Sequence, residues 1–205
     1  MLDVSSIKFK WSNEVKFEYN LQINQGEIVT IEGPSGIGKS TLINLISGFL
    51  KPESGSIHWF DKKIDKLSPR DRPTSTIFQS DNLFEHLSCF QNASLGISPK
   101  GRISTKEQEI INNLFLELGI KDLKNRKPNE ISGGQQARVS LVRALLSKKP
   151  ILLLDEPVSS LDQKTREETL NVLKKTSKKY KLTLIIVSHH NEDRKLLNAR
   201  QIKLT

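Results

Sequence analysis

The octet Gly33-Pro34-Ser35-Gly36-Ile37-Gly38-Lys39-Ser40 constrains this chain more than any other stretch, because it fits G-x-x-x-x-G-K-[ST] in full. Its context matters as much as its letters. Ile28-Val29-Thr30-Ile31 precedes it as a short β-branched run suited to a buried strand, and Leu42, Leu45, Ile46 and Phe49 follow at helical spacing, on one expected apolar face. A strand that enters a glycine-rich loop and leaves as a helix can turn successive backbone N–H groups inward around an anion. The helix aims its positive end at the same place. In that frame Lys39 reaches the outer phosphates of a bound chain as a mobile point charge, and Ser40, with Thr41 beside it, offers a hydroxyl to a hard divalent cation. The plainer alternative is a glycine-rich turn with an incidental lysine, and the flanking strand and helix speak against it.

The remaining elements follow a simple order. Residues 15–23 alternate apolar and polar, which predicts a half-buried strand in an antiparallel sheet at the amino end. Short strands are expected at 56–60 and 74–78. Helices are expected between 81 and 149, where Ile110, Ile111, Leu114 and Leu118, then Val139, Val142, Leu145 and Leu146, keep a 3.6-residue period. Strand character returns at 151–154 and 182–187 around a helix at 163–179, and 202–204 makes a last short strand. This alternation is that of a parallel α/β sheet with a helical block inserted in it. The expected organisation is one domain over 1–205, with a core from 1–80 and 150–205 and a helical subdomain from 81–149.

Composition excludes more than it selects. A lone cysteine, Cys89, rules out an internal disulfide framework, and no apolar run approaches the ~18 residues that cross a bilayer. The amino terminus has no basic flank followed by an apolar stretch, so no signal peptide is expected and the chain reads as soluble and cytoplasmic. The 32 basic against 23 acidic residues give a net charge of +9, which suits a nucleic acid, an anionic membrane surface or a lysine-rich solvated face. The lysine pairs are spread out, and aromatics make up only 6%, so charge does not choose among these.

A second constellation pairs with the glycine-rich loop. Ile151-Leu152-Leu153-Leu154-Asp155-Glu156-Pro157 is an apolar strand ending in two carboxylates. It places Asp155 at the carboxyl edge of the sheet, where it can hold Mg²⁺, and leaves Glu156 as a candidate base for an attacking water. A turn or helix cap would explain two such carboxylates alone. Paired with the loop, they point to hydrolysis of ATP or GTP. A third segment, Ile131-Ser132-Gly133-Gly134-Gln135, has an N-capping serine and two glycines opening a helix, a terminus able to face an anion. One nucleotide does not need two such helix starts, so this one is expected to cap a nucleotide held by another copy.

With these residues in hand, the chain resembles, over nearly its whole length, the ATP-binding subunits of ABC transporters. The resemblance implies a P-loop NTPase (RecA-like) core with an N-terminal antiparallel β subdomain and an inserted α-helical signature subdomain. Residues 131–135 are similar to the family's signature, with isoleucine for the usual leucine. Gln79 matches its Q-loop glutamine, residues 159–162 its D-loop and His189 its switch histidine, with His190 as a competitor. Trp11 sits where the family stacks an aromatic on adenine, and a half-buried strand residue is the alternative there. His189, His190, Glu192 and Asp193 could also mimic a metal cluster, though no further ligand group supports one.

The resemblance therefore implies ATP and Mg²⁺ as ligands. Residues 33–41 and Trp11 hold the nucleotide, Ser40, Gln79 and Asp155 the metal, and Glu156, His189 and Gln79 the chemistry. Ser132, Gly133, Gly134 and Gln135 of a second copy complete each site in a homodimer. It further implies a separate integral-membrane permease docking near Leu83, Phe84, Leu87 and Phe90, which could equally pack the insertion's own core. A periplasmic or extracellular solute-binding protein would act indirectly, and the chain would lie peripherally on the cytoplasmic face of the inner membrane. The shortness of the chain and the stretches at 48–50, 81–84 and 85–87 are most similar to the ATPases of thiamine importers. Other solutes remain the alternative, as does a non-transport ATPase acting on nucleic acid, although no nucleic acid is expected. A small-molecule kinase would share the phosphate loop but not explain residues 131–135. The chain stops at Thr205, soon after His189, where relatives continue through further strands.

Overall fold

A computed structural model describes residues 1–12, 15–79, 82–100 and 102–205. Asp81, which bounds the expected helical block and opens the stretch at 81–84, lies outside them.

Two sheets share the chain. The antiparallel one comprises β1 (Leu2–Lys10), β2 (Lys16–Ile23), β4 (Ser54–Trp59) and β5 (Lys62–Lys63), in the order β2-β1-β4-β5. The second comprises β3 (Ile28–Glu32), β6 (Thr74–Ile77), β7 (Ile151–Asp155), β8 (Thr183–Val187) and β9 (Arg200–Lys203), in the order β6-β7-β8-β3-β9, every pair parallel.

β1 has no clean alternation in the sequence, and its register shows why. Leu2 and Val4 face inward, the pairing slips between Val4 and Ile7, and Ile7 and Phe9 then face inward. Ser6 takes φ 48 at this bulge. One extra residue moves the apolar set to the opposite parity, so a period-2 search loses the strand.

Around β3, β7 and β8 the helices α1 (Lys39–Ser47), α2 (Cys89–Ser94), α3 (Thr105–Glu117), α4 (Gly133–Leu146), α5 (Gln163–Tyr180) and α6 (Asn191–Leu197) close the molecule. Successive strand residues point to opposite faces. Leu152, Leu154, Leu184 and Ile186 therefore pack with the helices that follow β6, while Ile151, Leu153, Ile185 and Val187 pack with α1 and the antiparallel sheet. Burial on both faces explains why β7 and β8 read as continuous apolar runs. Among the described residues no helix is long and apolar enough to cross a membrane.

Two details of α1 depart from expectation. Phe49 does not share the buried face of Leu42, Leu45 and Ile46. The helix ends at Ser47 with Gly48 left-handed, which swings Phe49 out to 56% exposure, against the Phe78 ring at 5.6 Å. The carboxyl end of α1 is instead closed by Arg72, whose side chain is wholly buried. Its guanidinium donates to the carbonyls of Leu45 (2.6 Å), Ile46 (2.9 Å), Asp65 (2.7 Å) and Leu67 (3.2 Å). Helix carbonyls without intrahelical partners need such donors when buried.

Candidate functional site

β3, which lies between β8 and the edge strand β9, delivers residues 33–38 to the carboxyl edge of the parallel sheet. The loop turns into α1 at Gly38, with φ 96. A Cβ there would lie 2.3 Å from the Tyr19 hydroxyl and 2.6 Å from the Phe17 ring, so only glycine fits. Tyr19 is a site residue that sequence patterning does not single out. On the inward face of β2, 3% exposed, it donates its hydroxyl to the Gly38 carbonyl at 2.8 Å. Burial pushes its phenol up to about 12, against a smaller opposing hydrogen bond with Thr41. The only sequence signal was an aromatic residue with a polar tip at an inward strand position.

Lys39 curls back over the loop. Its ammonium donates to the Gly33 and Pro34 carbonyls, both at 2.8 Å, and the residue is buried. A phosphate oxygen is a stronger acceptor for that cation than a neutral carbonyl. Trp11 lies just past β1 and is 60% exposed, so it is not a half-buried strand residue. Its indole N–H donates to Thr41 Oγ1 at 3.3 Å, and its ring stands edge-on to Phe9 at 5.2 Å. The N-terminal sheet thus pins two aromatics, Tyr19 and Trp11, to the first turn of α1.

The strand ends of β6, β7 and β8 bring three more groups together. Gln79, just past β6, donates Nε2 to Glu156 Oε2 at 3.3 Å and to Ser159 Oγ at 3.4 Å. Glu156 Oε1 meets His189 Nε2 at 2.6 Å. Glu156 holds this place from a left-handed backbone, φ 49, a strained conformation for a residue with a Cβ. His190 is placed differently: it caps α6, and its backbone N–H donates to Ser188 Oγ at 3.1 Å. Of the two histidines, His189 is the one joined to Glu156.

Asp155 links this group to the phosphate loop. Its Oδ1 is buried without a hydrogen-bond partner. Burial pushes its carboxyl pKa up, while a hydrogen bond with Ser40 and the positive fields of Lys39 and His189 pull it down, and Glu156 raises it. A buried carboxylate oxygen with no donor, beside a serine hydroxyl, is an incomplete oxygen shell. It fits Mg²⁺, which takes one or two carboxylate or hydroxyl oxygens from protein and the rest from phosphate and water. Among the described residues no group of three or more His, Cys, Asp or Glu converges to hold a metal. Asp193, one of the four residues that could mimic such a cluster, is instead bound by Arg166.

Ser132, Gly133, Gly134 and Gln135 open α4. Ser132 Oγ accepts the Gln135 N–H at 3.4 Å and Gln135 Oε1 accepts the Ser132 N–H at 2.9 Å, a capping box. The glycines have a partner within the chain. A Cβ on Gly133 would lie 2.9 Å from Leu161 Cδ2, and one on Gly134 2.4 Å from Thr165 Cγ2. Their lack of side chains lets α4 close onto the start of α5.

Of the four expected docking residues, Leu83 and Phe90 pack against the helical core, Leu87 is half-buried and Phe84 is 51% exposed. Asn92 holds the segment by donating to the carbonyls of Phe84, Leu87 and Ser88, at 3.0–3.1 Å. Phe49 and Phe78 are exposed too, and patterning gave no notice of them.

A parallel sheet with a glycine-rich loop leaving β3, a carboxylate pair at the end of β7 and a histidine after β8 defines a P-loop nucleotide-binding protein. The sequence profile of the ABC transporter family matches residues 17–159, and the chain belongs to that family. Among its relatives is the thiamine import ATP-binding protein ThiQ of Aliivibrio fischeri, 44% identical over 197 residues that cover 96% of this chain and 84% of that one. The ThiQ of Haemophilus influenzae is 49% identical over 171 residues, covering 83% and 80%. The dimeric structure of MJ0796, a bacterial ABC transporter cassette, superposes with a TM-score of 0.84 at 32% identity and covers all of this chain and 94% of that one. A second MJ0796 structure, a dimeric post-hydrolysis state bound to ADP and Pi, also superposes with a TM-score of 0.84.

Proposed function

We propose that this chain hydrolyses ATP to power thiamine import through a separate membrane permease. The observation that carries the enzymatic part is the contact of Glu156 with His189 and Gln79 beside the unpartnered Oδ1 of Asp155. The import part rests on similarity to the thiamine import ATP-binding proteins, at 39–49% identity.

In this reading the backbone of residues 33–41, which offers an N–H at every position but Pro34, cradles the phosphates, and Lys39 leaves its two carbonyls for the β- and γ-phosphates. Trp11 stacks on the base. Ser40, Asp155 and Gln79 would hold Mg²⁺, which would supply charge neutralisation on the phosphates. Glu156 orients the attacking water and takes its proton, and His189 bridges Glu156 to the γ-phosphate. Two copies face opposite ways, residues 132–135 of each closing over the nucleotide of the other. The dimeric form of MJ0796 supports that arrangement. The permease seats on the exposed Phe84 and the Phe49–Phe78 ring pair, and in this reading the chain lies at the cytoplasmic face of the membrane. A solute-binding protein outside the membrane acts through the permease.

General-base assistance is worth roughly 10²- to 10⁴-fold. Glu156→Gln is therefore expected to cost roughly 3 to 5 kcal/mol of transition-state stabilisation while keeping ATP affinity. Parent-like turnover by that variant would remove Glu156 from its role. Stimulation of turnover by DNA or RNA, rather than by a co-expressed permease, would overturn the transport reading.

A further inference from the structure

His189 reaches Glu156 from a loop tied down by a buried ion pair. Arg166 on α5 forks onto Asp193 on α6, with Nε donating to Oδ1 at 2.8 Å and Nη2 to Oδ2 at 2.7 Å. The two side chains are 8% and 3% exposed. Asp193 Oδ2 accepts a third hydrogen bond, from the Ser188 hydroxyl at 2.5 Å. That hydroxyl in turn accepts the backbone N–H of His190 at 3.1 Å. The residues on either side of His189 are thus bound, directly or through one hydroxyl, to the same carboxylate.

Packing alone does not require this arrangement. Buried ion pairs stabilise little over apolar pairs of similar volume, because desolvating both charges offsets their attraction. What the fork adds is direction: two parallel hydrogen bonds fix the plane of the Asp193 carboxylate, and the plane fixes where Ser188 sits. The space beneath the base is small, a cavity of about 40 Å³ bounded by Glu156, Ser159, Arg166, Ser188, His189 and Asp193. It holds on the order of one water, so a displaced loop would have little room to compensate. The same Arg166 lies one helical turn after Asp162, the N-cap of α5, and its N–H donates to the Asp162 carbonyl at 2.9 Å.

We propose that Arg166 and Asp193 are positioning residues for the Glu156–His189 contact, acting through Ser188. The inference rests on the ATPase reading above.

Three full-length variants test it: Asp193→Asn, Arg166→Lys and Ser188→Ala. Ser188→Ala leaves the ion pair whole, and Arg166→Lys keeps the charge but loses the planar fork. Turnover at saturating MgATP, its pH profile and the ATP dissociation constant are measured for each, with thermal midpoints alongside. Misplacing a catalytic group by about 1 Å costs roughly 10²-fold. Asp193→Asn and Arg166→Lys are expected to lower kcat at least about 10-fold, and Ser188→Ala about 3-fold or more, with KM and ATP affinity close to parent and the pH profile displaced. A purely structural ion pair predicts the opposite: lower melting temperatures with parental kcat and pH profile. Parental kcat in Ser188→Ala and Arg166→Lys overturns the proposal, and these two decide the matter if Asp193→Asn fails to fold. A parent chain without turnover overturns the ATPase reading itself, whereas an active parent with unaffected variants overturns only the positioning role.

Discussion

Replacing Tyr19 by phenylalanine removes one oxygen from the joint between the antiparallel sheet and the phosphate loop. The hydroxyl donates to the buried Gly38 carbonyl at 2.8 Å. That carbonyl keeps a second donor, the Leu42 N–H at 2.9 Å, so the loss is that of one hydrogen bond, about 0.5–1.5 kcal/mol. In a chain of this size, each kcal/mol corresponds to about 2–4 °C of melting temperature, so a fall of roughly 1 to 6 °C is expected at pH 8. The same hydroxyl makes a second, sharper prediction. Its pKa stands at about 12 in the folded chain against an ordinary 10.0. A raised value means that the folded state holds the proton more tightly. The stabilisation is therefore complete below pH 10 and is lost as pH rises from 10 towards 12. With those two values the parent loses about 1.4 kcal/mol of this contribution by pH 11. The phenylalanine variant cannot lose it. Urea unfolding of both proteins at pH 8 and pH 11 reads the effect as a difference, in which the lysines and Tyr180 cancel. The parent's advantage over the variant should fall by about 1.4 kcal/mol between the two pH values, enough to close or reverse it. A gap that stays constant, or no gap at pH 8, would refute the reasoning.

Other outcomes follow from single contacts. Gly134→Ala should destabilise by about 1–3 kcal/mol through the clash with Thr165 Cγ2, and adding Thr165→Ser, which deletes that methyl, should restore most of the loss in a calorimetric melt. Arg72→Met strips four carbonyls of their donor and should cost at least about 3 kcal/mol in chemical denaturation, although no part of the nucleotide site is touched. Trp11→Ala should weaken ATP binding by about 1–3 kcal/mol, with Trp11→Tyr restoring most of it and inorganic triphosphate affinity unchanged. Equal ATP binding by the alanine variant would remove the stacking role.

Much of the site could be read before any fold was known, because its parts are local. A loop that curls around phosphate needs small residues and a lysine within eight positions, as at 33–40. A strand ending in Asp155-Glu156 and a helix opened by Ser132 with two glycines also state their geometry within a few residues. The alternation of β2 and the continuous apolar runs of β7 and β8 announced an antiparallel and a parallel layer in the same way.

Tertiary structure decided the rest. β1 was hidden by a one-residue bulge, and Phe49 left its expected face because Gly48 ends α1 one residue too early. Tyr19 touches Gly38 across 19 positions, Arg72 reaches Leu45 across 27, and Arg166 meets Asp193 across 27. Gly133 and Gly134, legible as an anion-facing helix start, also prove to be where α4 meets Leu161 and Thr165. Residue type and spacing encode what a backbone can do over one turn or one strand, and so determined the phosphate loop and the carboxylate pair. Which distant side chain completes a buried hydrogen bond or fills a missing Cβ depends on how whole elements pack, and only the folded chain determines that.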